Sequence, residues 1–413
     1  MRAARLWARL VGVEGAVIGR VWFDEQAGAV VVAARPRNHL QGRCGVCGRR
    51  CPGFDHGEGR RRWRALDLGT LKALVEADAP RVRCGEHGVV VVAVPWARHG
   101  ARHTRGFDDT AAWLAVHTSK QAVSQLLRIA WETVGRVVAR VAADAEQATD
   151  RLEGLRRIGI DEISYKKGHK YLTVVVDHDR GLLVWAAPGR DAATLGRFFD
   201  TLGEARCAQV RLVSADAAEW IATTVAARCP RAVLCADPFH VVKWATDALD
   251  EVRREVWNAA RKGGEVALAG ELKGARYALW KNPEDLTRRQ RGKLAWIARV
   301  NGRLYRAYLL KEQLRLVFKL KGVRATVLLE AWLAWARRCR IPAFVALAKA
   351  VTTHRASIQA ALTQGLSNAL VESTNTKIRL LTRVAFGFRS PQALIALAML
   401  SVGGLCPPLP GRS

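Results

Sequence analysis

Residues 155–189 read LRRIGIDEISYKKGHKYLTVVVDHDRGLLVWAAPG. Three runs rich in apolar side chains, 155–160, 170–177 and 182–187, are separated by polar breaks. The second break, His178-Asp179-Arg180-Gly181, has the Asp and Gly of a tight reversal. The pattern predicts a three-stranded antiparallel meander. Working outward, Pro188-Gly189-Arg190-Asp191 opens an amphipathic helix over 192–202, with Leu195, Phe198, Phe199 and Leu202 at helical spacing. A strand over 210–215, a helix over 217–229 and a strand over 232–236 follow.

A meander followed by helix, strand, helix, strand resembles the order of the ribonuclease H fold, so the expected class is α/β. Three acids fall where a two-metal nuclease of that type needs them. Asp161 ends the first apolar run, Asp216 follows the fourth, and Glu372 lies on a predicted helix over 367–381 whose polar side bears Asn368, Asn375 and Arg379. Two Mg²⁺ ions held roughly 3.5–4 Å apart by shared carboxylates can activate a water or a 3′-hydroxyl and stabilise the leaving oxygen of a phosphoryl displacement. Hard oxygen ligands suit Mg²⁺, and Mn²⁺ can substitute. Any one of these acids alone could be a helix cap; the trio gains its meaning from the order of elements. Asp237, after the last strand, is the rival of Asp216 as second ligand. His240 can donate to a phosphate, orient Asp237, or serve as a structural histidine at a strand-to-helix junction. Glu162 is expected to support or cap the site, and Asp177 and Asp179 to serve a turn and the surface.

Charge points to the partner. The chain of 413 residues carries 66 Lys and Arg against 37 Asp and Glu, a formal net charge of +29. That excess predicts a polyanion, with double-stranded DNA the leading candidate. Arginines cluster at Arg60-Arg61-Arg62, Arg253-Arg254, Arg288-Arg289 with Arg291, and Arg337-Arg338 with Arg340. A genome rich in G and C would also raise arginine, but would not place the acids. No apolar run reaches the roughly 18 residues that span a bilayer, and Glu14 interrupts the apolar segment behind the N-terminal arginines. The expectation is a cytoplasmic, nucleoid-associated protein without a membrane partner. Its nine cysteines are then reduced thiols or metal ligands.

Cys44-Gly45-Val46-Cys47 and Cys84-Gly85-Glu86-His87 share one spacing and predict a closed Cys₃His zinc site, Cys44, Cys47, Cys84 and His87, with Cys51 and His56 as second choices for one ligand. The segment 60–82 between them alternates apolar and basic residues as a small zinc-ribbon sheet would. Helices over 107–118, 119–127 and 132–144 follow. They are compatible with a helix-turn-helix whose last helix, carrying Thr133, Arg136 and Arg140, enters a major groove. From 241 to about 362 the chain reads as helical, basic and rich in tryptophan, an all-helical insertion ahead of Glu372. Its tryptophans, Trp244, Trp257, Trp280, Trp296, Trp332 and Trp335, are expected in a core. Its Arg288, Arg289, Arg291, Lys293, Arg303 and Arg306, and Lys377, Arg379, Arg383 and Arg389 around Glu372, are expected on DNA backbone. The expected domains are a zinc ribbon over 1–100, a helix-turn-helix over 101–150 and a catalytic domain over 151–400.

This order, with Gly-Ile-Asp161-Glu162, Lys166-Lys167-Gly168-His169-Lys170-Tyr171, Asp237-Pro238-Phe239-His240-Val241-Val242-Lys243 and Glu372-Ser373-Thr374-Asn375, resembles the ISL3 family of bacterial insertion-sequence transposases over nearly the whole chain. The resemblance implies a DDE catalytic domain of ribonuclease H fold with Asp161, Asp216 and Glu372 as metal ligands, and Asp237 with His240 as a DxxH element. This chain has Pro238 where the family more often shows Arg, and its Ala215-to-Trp220 segment is a loose version of the usual one. The function implied is a DNA transposase acting on terminal inverted repeats and target DNA as a homo-oligomer. The alternatives are a non-catalytic DNA-binding regulator and a structure-specific nuclease.

Overall fold

The structure, a computed structural model, describes residues 3–216 and 218–412. By internal contact the chain divides into two units. One runs to Arg151 and resumes at Ile378; the other is Leu152–Lys377.

The first unit begins with α1 (Ala3–Leu10) and the strands β1 (Ala16–Asp24), β2 (Ala29–Pro36), β3 (Gly53–Asp55), β4 (Arg60–Leu68), β5 (Leu71–Asp78), β6 (Arg81–Cys84) and β7 (Gly88–Val91). They form two sheets, β1-β2-β5-β4 and β3-β6-β7. This corrects the expectation for 60–82. The alternation there builds β4 and β5, which pair with each other and with β2 in a sheet of their own. One face buries Trp63, Ala65, Ala73, Val75 and Ala77. On the other, Glu76 accepts from Arg60 and Arg62 at 2.9 and 2.8 Å. The apolar members of 60–78 serve this core, and of the segment 60–82 only Arg81 and Val82, in β6, belong to the sheet that carries Cys84.

Three helices follow: α2 (Arg105–His117), α3 (Lys120–Leu127) and α4 (Trp131–Ala148). Thr104 and Ser119 cap the first two, accepting from Phe107 N and Ala122 N. Arg128, at φ 52°, ends α3 in the left-handed region. Val134, Val137, Val138 and Val141 turn inward from α4. The helices are tied to the segment before them by buried charge. Asp108, with no exposed surface, accepts from Arg140 at 2.9 Å; His103 Nδ1 stands 3.3 Å away without the alignment of a hydrogen bond. Arg98 is bound to Asp109 at 2.7 Å and Asp144 at 2.8 Å. Removing one partner of such a cluster leaves charge buried without compensation, which typically costs about 3–5 kcal/mol. Asp108→Ala is therefore expected to lower the stability of this unit by about that amount, read from urea unfolding followed by tryptophan fluorescence. A loss below about 1 kcal/mol would show that the cluster is solvated.

The second unit opens with β8 (Arg157–Lys166), β9 (Lys170–Asp177) and β10 (Leu182–Pro188), then α5 (Ala192–Leu202), α6 (Glu204–Cys207), β11 (Leu212–Ala215), α7 (Glu219–Arg228) and β12 (Val233–Ala236). The sheet order is β10-β9-β8-β11-β12, with β8 to β10 antiparallel and β8, β11 and β12 parallel. Leu195, Phe198, Phe199 and Leu202 of α5 sit in the core with Ile158, Ile160 and Val213. β8 runs five residues past Asp161, because Ile163 continues the ladder opposite Leu172. Of the helix expected from Ala217, Ala217 itself lies outside the described residues.

Helices α8 (Pro238–Lys262), α9 (Val266–Lys273), α10 (Arg276–Trp280), α11 (Arg288–Val300), α12 (Gly302–Val317), α13 (Gly322–Arg338), α14 (Pro342–Thr353) and α15 (Arg355–Gln364) share one core. Trp332 is fully buried and donates Nε1 to Leu310 O at 2.8 Å, while Trp244, Trp257, Trp280, Trp296 and Trp335 pack against the same core. α15 packs on β12, α16 (Ala369–Val384) follows, and α17 (Pro391–Val402) packs on α2 and α4.

Candidate active site

Strand register places the acids. Ile160 of β8 is paired with Ala215 of β11, and Ala215 with Ala236 of β12. The next residue on each chain is Asp161, Asp216 and Asp237, so three aspartates stand in a row on strands spaced about 4.8 Å apart. β11 and β12 stop there while β8 continues along β9. Asp161 Oδ1 accepts from Glu162 N at 2.7 Å. Burial pushes the Asp161 carboxyl above its usual range; the charges of Asp216 and Asp237 push the same way and His240 opposes them. His240, in the first turn of α8, places Nδ1 2.8 Å from Asp237 Oδ2 and Nε2 3.7 Å from Asp216 Oδ2. Its hydrogen bond to Asp237, with the nearby aspartates, raises its pKa despite burial.

α16 lies against this row. Asn375 Nδ2 donates to Asp161 Oδ2 at 2.8 Å, and Asn368 donates from its backbone N to Asp237 Oδ1 at 3.3 Å and from Nδ2 to Ile160 O at 3.5 Å. Glu372 is four residues after Asn368 and three before Asn375, on the same helix face. The sequence reading missed what lets the helix come so close, which is Gly159. A Cβ there would lie 2.5 Å from Val371 Cγ2 and 2.8 Å from His178 Nε2, the latter held 2.8 Å from Ser214 Oγ. Gly159→Ala is expected to push α16 off β8 and lower activity by about 10²-fold through misplacement of the site. The accompanying loss of stability should be only about 1–3 kcal/mol. Unchanged turnover in a folded variant would show that the helix position is not critical.

Asp216 and Asp237 differ in exposure. The Asp237 side chain is 3% exposed and accepts from Asn368 N and His240, whereas the Asp216 side chain is 35% exposed. Glu162, near Asp161, is paired with Arg190 at 2.5 Å. The clustered hard oxygens have the donor chemistry of a magnesium site, and the negative charge that Asp216 and Asp237 add beside the buried Asp161 carboxyl is the penalty a cation would relieve. Among the described residues, only the Cys/His group brings three or more ligand atoms within 4.8 Å of one another.

That group is Cys44, Cys47, Cys84 and His87. Sγ of Cys47 and Cys84 are 3.8 Å apart, and His87 Nδ1 is 3.6 Å from Cys84 Sγ and 3.9 Å from Cys44 Sγ. Tetrahedral zinc with bonds of roughly 2.3 Å to sulfur and 2.0–2.1 Å to nitrogen has edges of about 3.5–3.8 Å, so the donors fit. Backbone N–H groups of Glu86 and His87, with the His87 ring, hold the Cys84 thiol down to about 6. Cys51 and His56 lie outside the four.

Three family models match in the order of these elements. A zinc-finger of transposases IS204/IS1001/IS1096/IS1165 matches residues 41–87, a helix-turn-helix domain of transposase family ISL3 matches 92–142, and the ISL3 DDE model, described as transposase, matches 158–398. The chain belongs to the ISL3 transposase family. It is 60% identical to the transposase for insertion sequence element IS1557 of Mycobacterium tuberculosis (strain H37Rv), over 100% of this chain and 98% of that one. It is 26% identical to the transposase for insertion sequence element IS1001 of Bordetella parapertussis, over 94% of this chain and 95% of that one.

On the helix-turn-helix of this ISL3 transposase, the three residues expected to reach DNA differ in circumstance. Arg136 is exposed and its Nη2 donates to Thr133 Oγ1 at 3.1 Å, whereas Arg140 is engaged with buried Asp108. Lys377, Arg379 and Arg383 are exposed along α16. In the helical region Arg288, Arg289, Arg291 and Arg306 are exposed, while Lys293 pairs with Glu271 and Arg303 with Glu255. No helix among the described residues is long and apolar enough to cross a membrane.

Proposed function

We propose that this chain is a DNA transposase that binds the terminal inverted repeats of its element and cuts and rejoins strands, with Asp161, Asp216 and Glu372 as its acidic triad. One observation carries the reading: Asp161 and Asp216 stand side by side where two parallel strands leave register, and Asn375 of α16 grips Asp161 one helical turn beyond Glu372. The sheet, three antiparallel strands followed by two parallel ones, supports a ribonuclease H-like fold. Asp216 is preferred over Asp237 because its side chain is 35% exposed and open to substrate, whereas that of Asp237 is 3% exposed. Two Mg²⁺ ions, or Mn²⁺, held by the triad would activate the attacking oxygen and stabilise the leaving one.

The protein's own groups set up the rest. Asn375 fixes one Asp161 oxygen and the Glu162 N–H the other, so the carboxylate is aimed before substrate arrives. His240 orients Asp216 and Asp237 and, when protonated, can donate to a phosphate oxygen. Water attacks the phosphodiester at the element end; a P–O bond forms, the P–O3′ bond breaks, and the leaving 3′-oxygen gains a proton. That 3′-hydroxyl then attacks a phosphodiester of target DNA, loses its proton, and displaces a second 3′-oxygen, with no covalent protein intermediate. Thr133 and Arg136 of α4 are assigned to the repeat, and Lys377, Arg379 and Arg383 to the backbone of the cut strand. Arg140 is assigned to holding α4 in place. Zn²⁺ held by Cys44, Cys47, Cys84 and His87 would act structurally. Joining two ends requires a homo-oligomer on DNA, in the bacterial cytoplasm at the nucleoid.

The test is cleavage and joining by the purified full chain with Mg²⁺ or Mn²⁺, on a duplex carrying the repeat that flanks its gene. Metal-dependent joining to a second duplex is the expected result. Specific binding without cleavage would make the protein a regulator, and cleavage without joining or end specificity a nuclease.

A further inference from the structure

The same three parallel strands share a second edge, at their beginnings. There Arg157, Leu212 and Val233 are register partners, so Arg156 and Arg211 precede the first two side by side. Arg211 N donates to Arg156 O and Val233 N to Arg211 O, each at 2.8 Å. These bonds fix the backbones from which the side chains leave. A groove of about 800 Å³ opens there, lined by Arg156, Arg157, Arg211 and Arg231, with Gln209 and Gln364 among its neutral members. All four arginines are exposed. Arg157 is bound to Asp179 at 2.6 Å, the one acid in the lining. Among the described residues, no carboxylate is paired with Arg156, Arg211 or Arg231. Other exposed arginines of this unit do find one, as Arg228 does in Asp200 and Arg355 in Glu330, each at 2.6 Å.

Three uncompensated guanidinium groups around a concavity repel one another and focus a positive potential into it. Their planar forks match the oxygens of phosphodiesters, and glutamine amides add neutral donors. The groove is four strand residues from the aspartate row, about 13 Å along β8. A phosphate bound in one therefore cannot be the phosphate attacked in the other. We propose that this groove is a further DNA-binding site, gripping the phosphate backbone of a double helix at a distance from the scissile bond and without reading bases. The proposal rests on the reading of the chain as a DNA-acting enzyme and adds a contact surface to it.

The test uses the full chain and the triple variant Arg156→Gln/Arg211→Gln/Arg231→Gln, with binding to a long duplex of generic sequence measured across salt concentrations. Each phosphate contact contributes a slope of roughly 0.9 in log K against log salt, so the triple variant should lose about 2–3 from the wild-type slope. The corresponding triple lysine variant, which keeps the charge, should retain most of it, and both should melt like wild type. A slope unchanged in the glutamine triple overturns the groove while leaving the transposase reading standing. A wild-type protein that binds no duplex at low salt overturns that reading, and the groove with it. Inorganic pyrophosphate is the third arm. Tight saturable binding by wild type that the glutamine triple loses, with an unaltered DNA slope, would make this a small-anion site and overturn the proposal.

Discussion

Asp161→Asn and Glu372→Gln are each expected to lower strand cleavage and strand joining by on the order of 10³-fold or more, while binding to the terminal duplex stays within about threefold. The size follows from the metal-holding role proposed for each carboxylate. Divalent cations contribute several kcal/mol to stabilising the charge that develops in a phosphoryl displacement, and each 1.36 kcal/mol is tenfold in rate. An amide of the same shape supplies a weaker, neutral ligand. Asp161→Asn also turns the hydrogen bond from Asn375 Nδ2 into a contact that one of the two amides must rotate to satisfy. Asp216→Asn belongs with these two. Asp237→Asn should behave differently: it disturbs the contacts to Asn368 N and His240 Nδ1, so stability should fall by roughly 1–3 kcal/mol, with a smaller loss of rate. Single-turnover cleavage of a labelled repeat duplex, alongside thermal melting, separates the two patterns. If Asp237→Asn abolished cleavage in a protein of wild-type stability while Asp216→Asn remained active, the second ligand would be Asp237.

How far this site could be read from sequence depends on whether the signal was local. The strand over 170–177 and the helix over 192–202 coincide with β9 and α5, because two-residue alternation and helical spacing are written within one element. The acidic row was half legible. Short apolar runs ending in Asp161, Asp216 and Asp237 announce parallel strands, but their register is fixed between chains, in the pairing of Ile160 with Ala215 and Ala215 with Ala236. Nothing within its own strand explains Gly159, since its reason is Val371, more than two hundred residues away. The same holds for Arg140. On α4 it reads as a base-contacting residue, and only the fold brings it to Asp108 of α2. β1 and β2 were not read at all. They supply the partner for β5, so most of the alternation of 60–82 belongs to their sheet, and only its end, in β6, to the sheet of Cys84.

Replacing Cys84 by alanine is expected to abolish stoichiometric zinc binding and to weaken binding to the terminal repeat by on the order of 10²-fold or more, while leaving most of the helical signal of the protein. Cys84 closes β6 and stands 3.8 Å from Cys47 Sγ and 3.6 Å from His87 Nδ1, so its loss removes a ligand that touches both halves of the site. Structural zinc in small domains is worth roughly 10–16 kcal/mol of apparent binding free energy, which is then folding free energy. β3, β6 and β7 are three to four residues each and have little apolar core of their own to replace it. The consequence reaches the helix-turn-helix through the chain. Gly45, inside the first cysteine pair, lies so close to His99 and Val91 that a Cβ would come within 2.5 Å of each, and the next residue but one before His99, Ala97, is in the core of the neighbouring sheet. Arg98, between them, is the residue that binds Asp109 and Asp144. A slack knuckle therefore loosens the segment that anchors α2 and α4, and so the face bearing Thr133 and Arg136. Zinc content by metal analysis and repeat binding by fluorescence anisotropy read the two effects separately. A Cys84→Ala protein that still held one zinc per chain would mean that Cys51 or His56 takes the vacant place. Full repeat affinity in a zinc-free protein would mean that α2 to α4 stand without the knuckle, held by their own apolar packing and the Asp108 and Arg98 ion pairs.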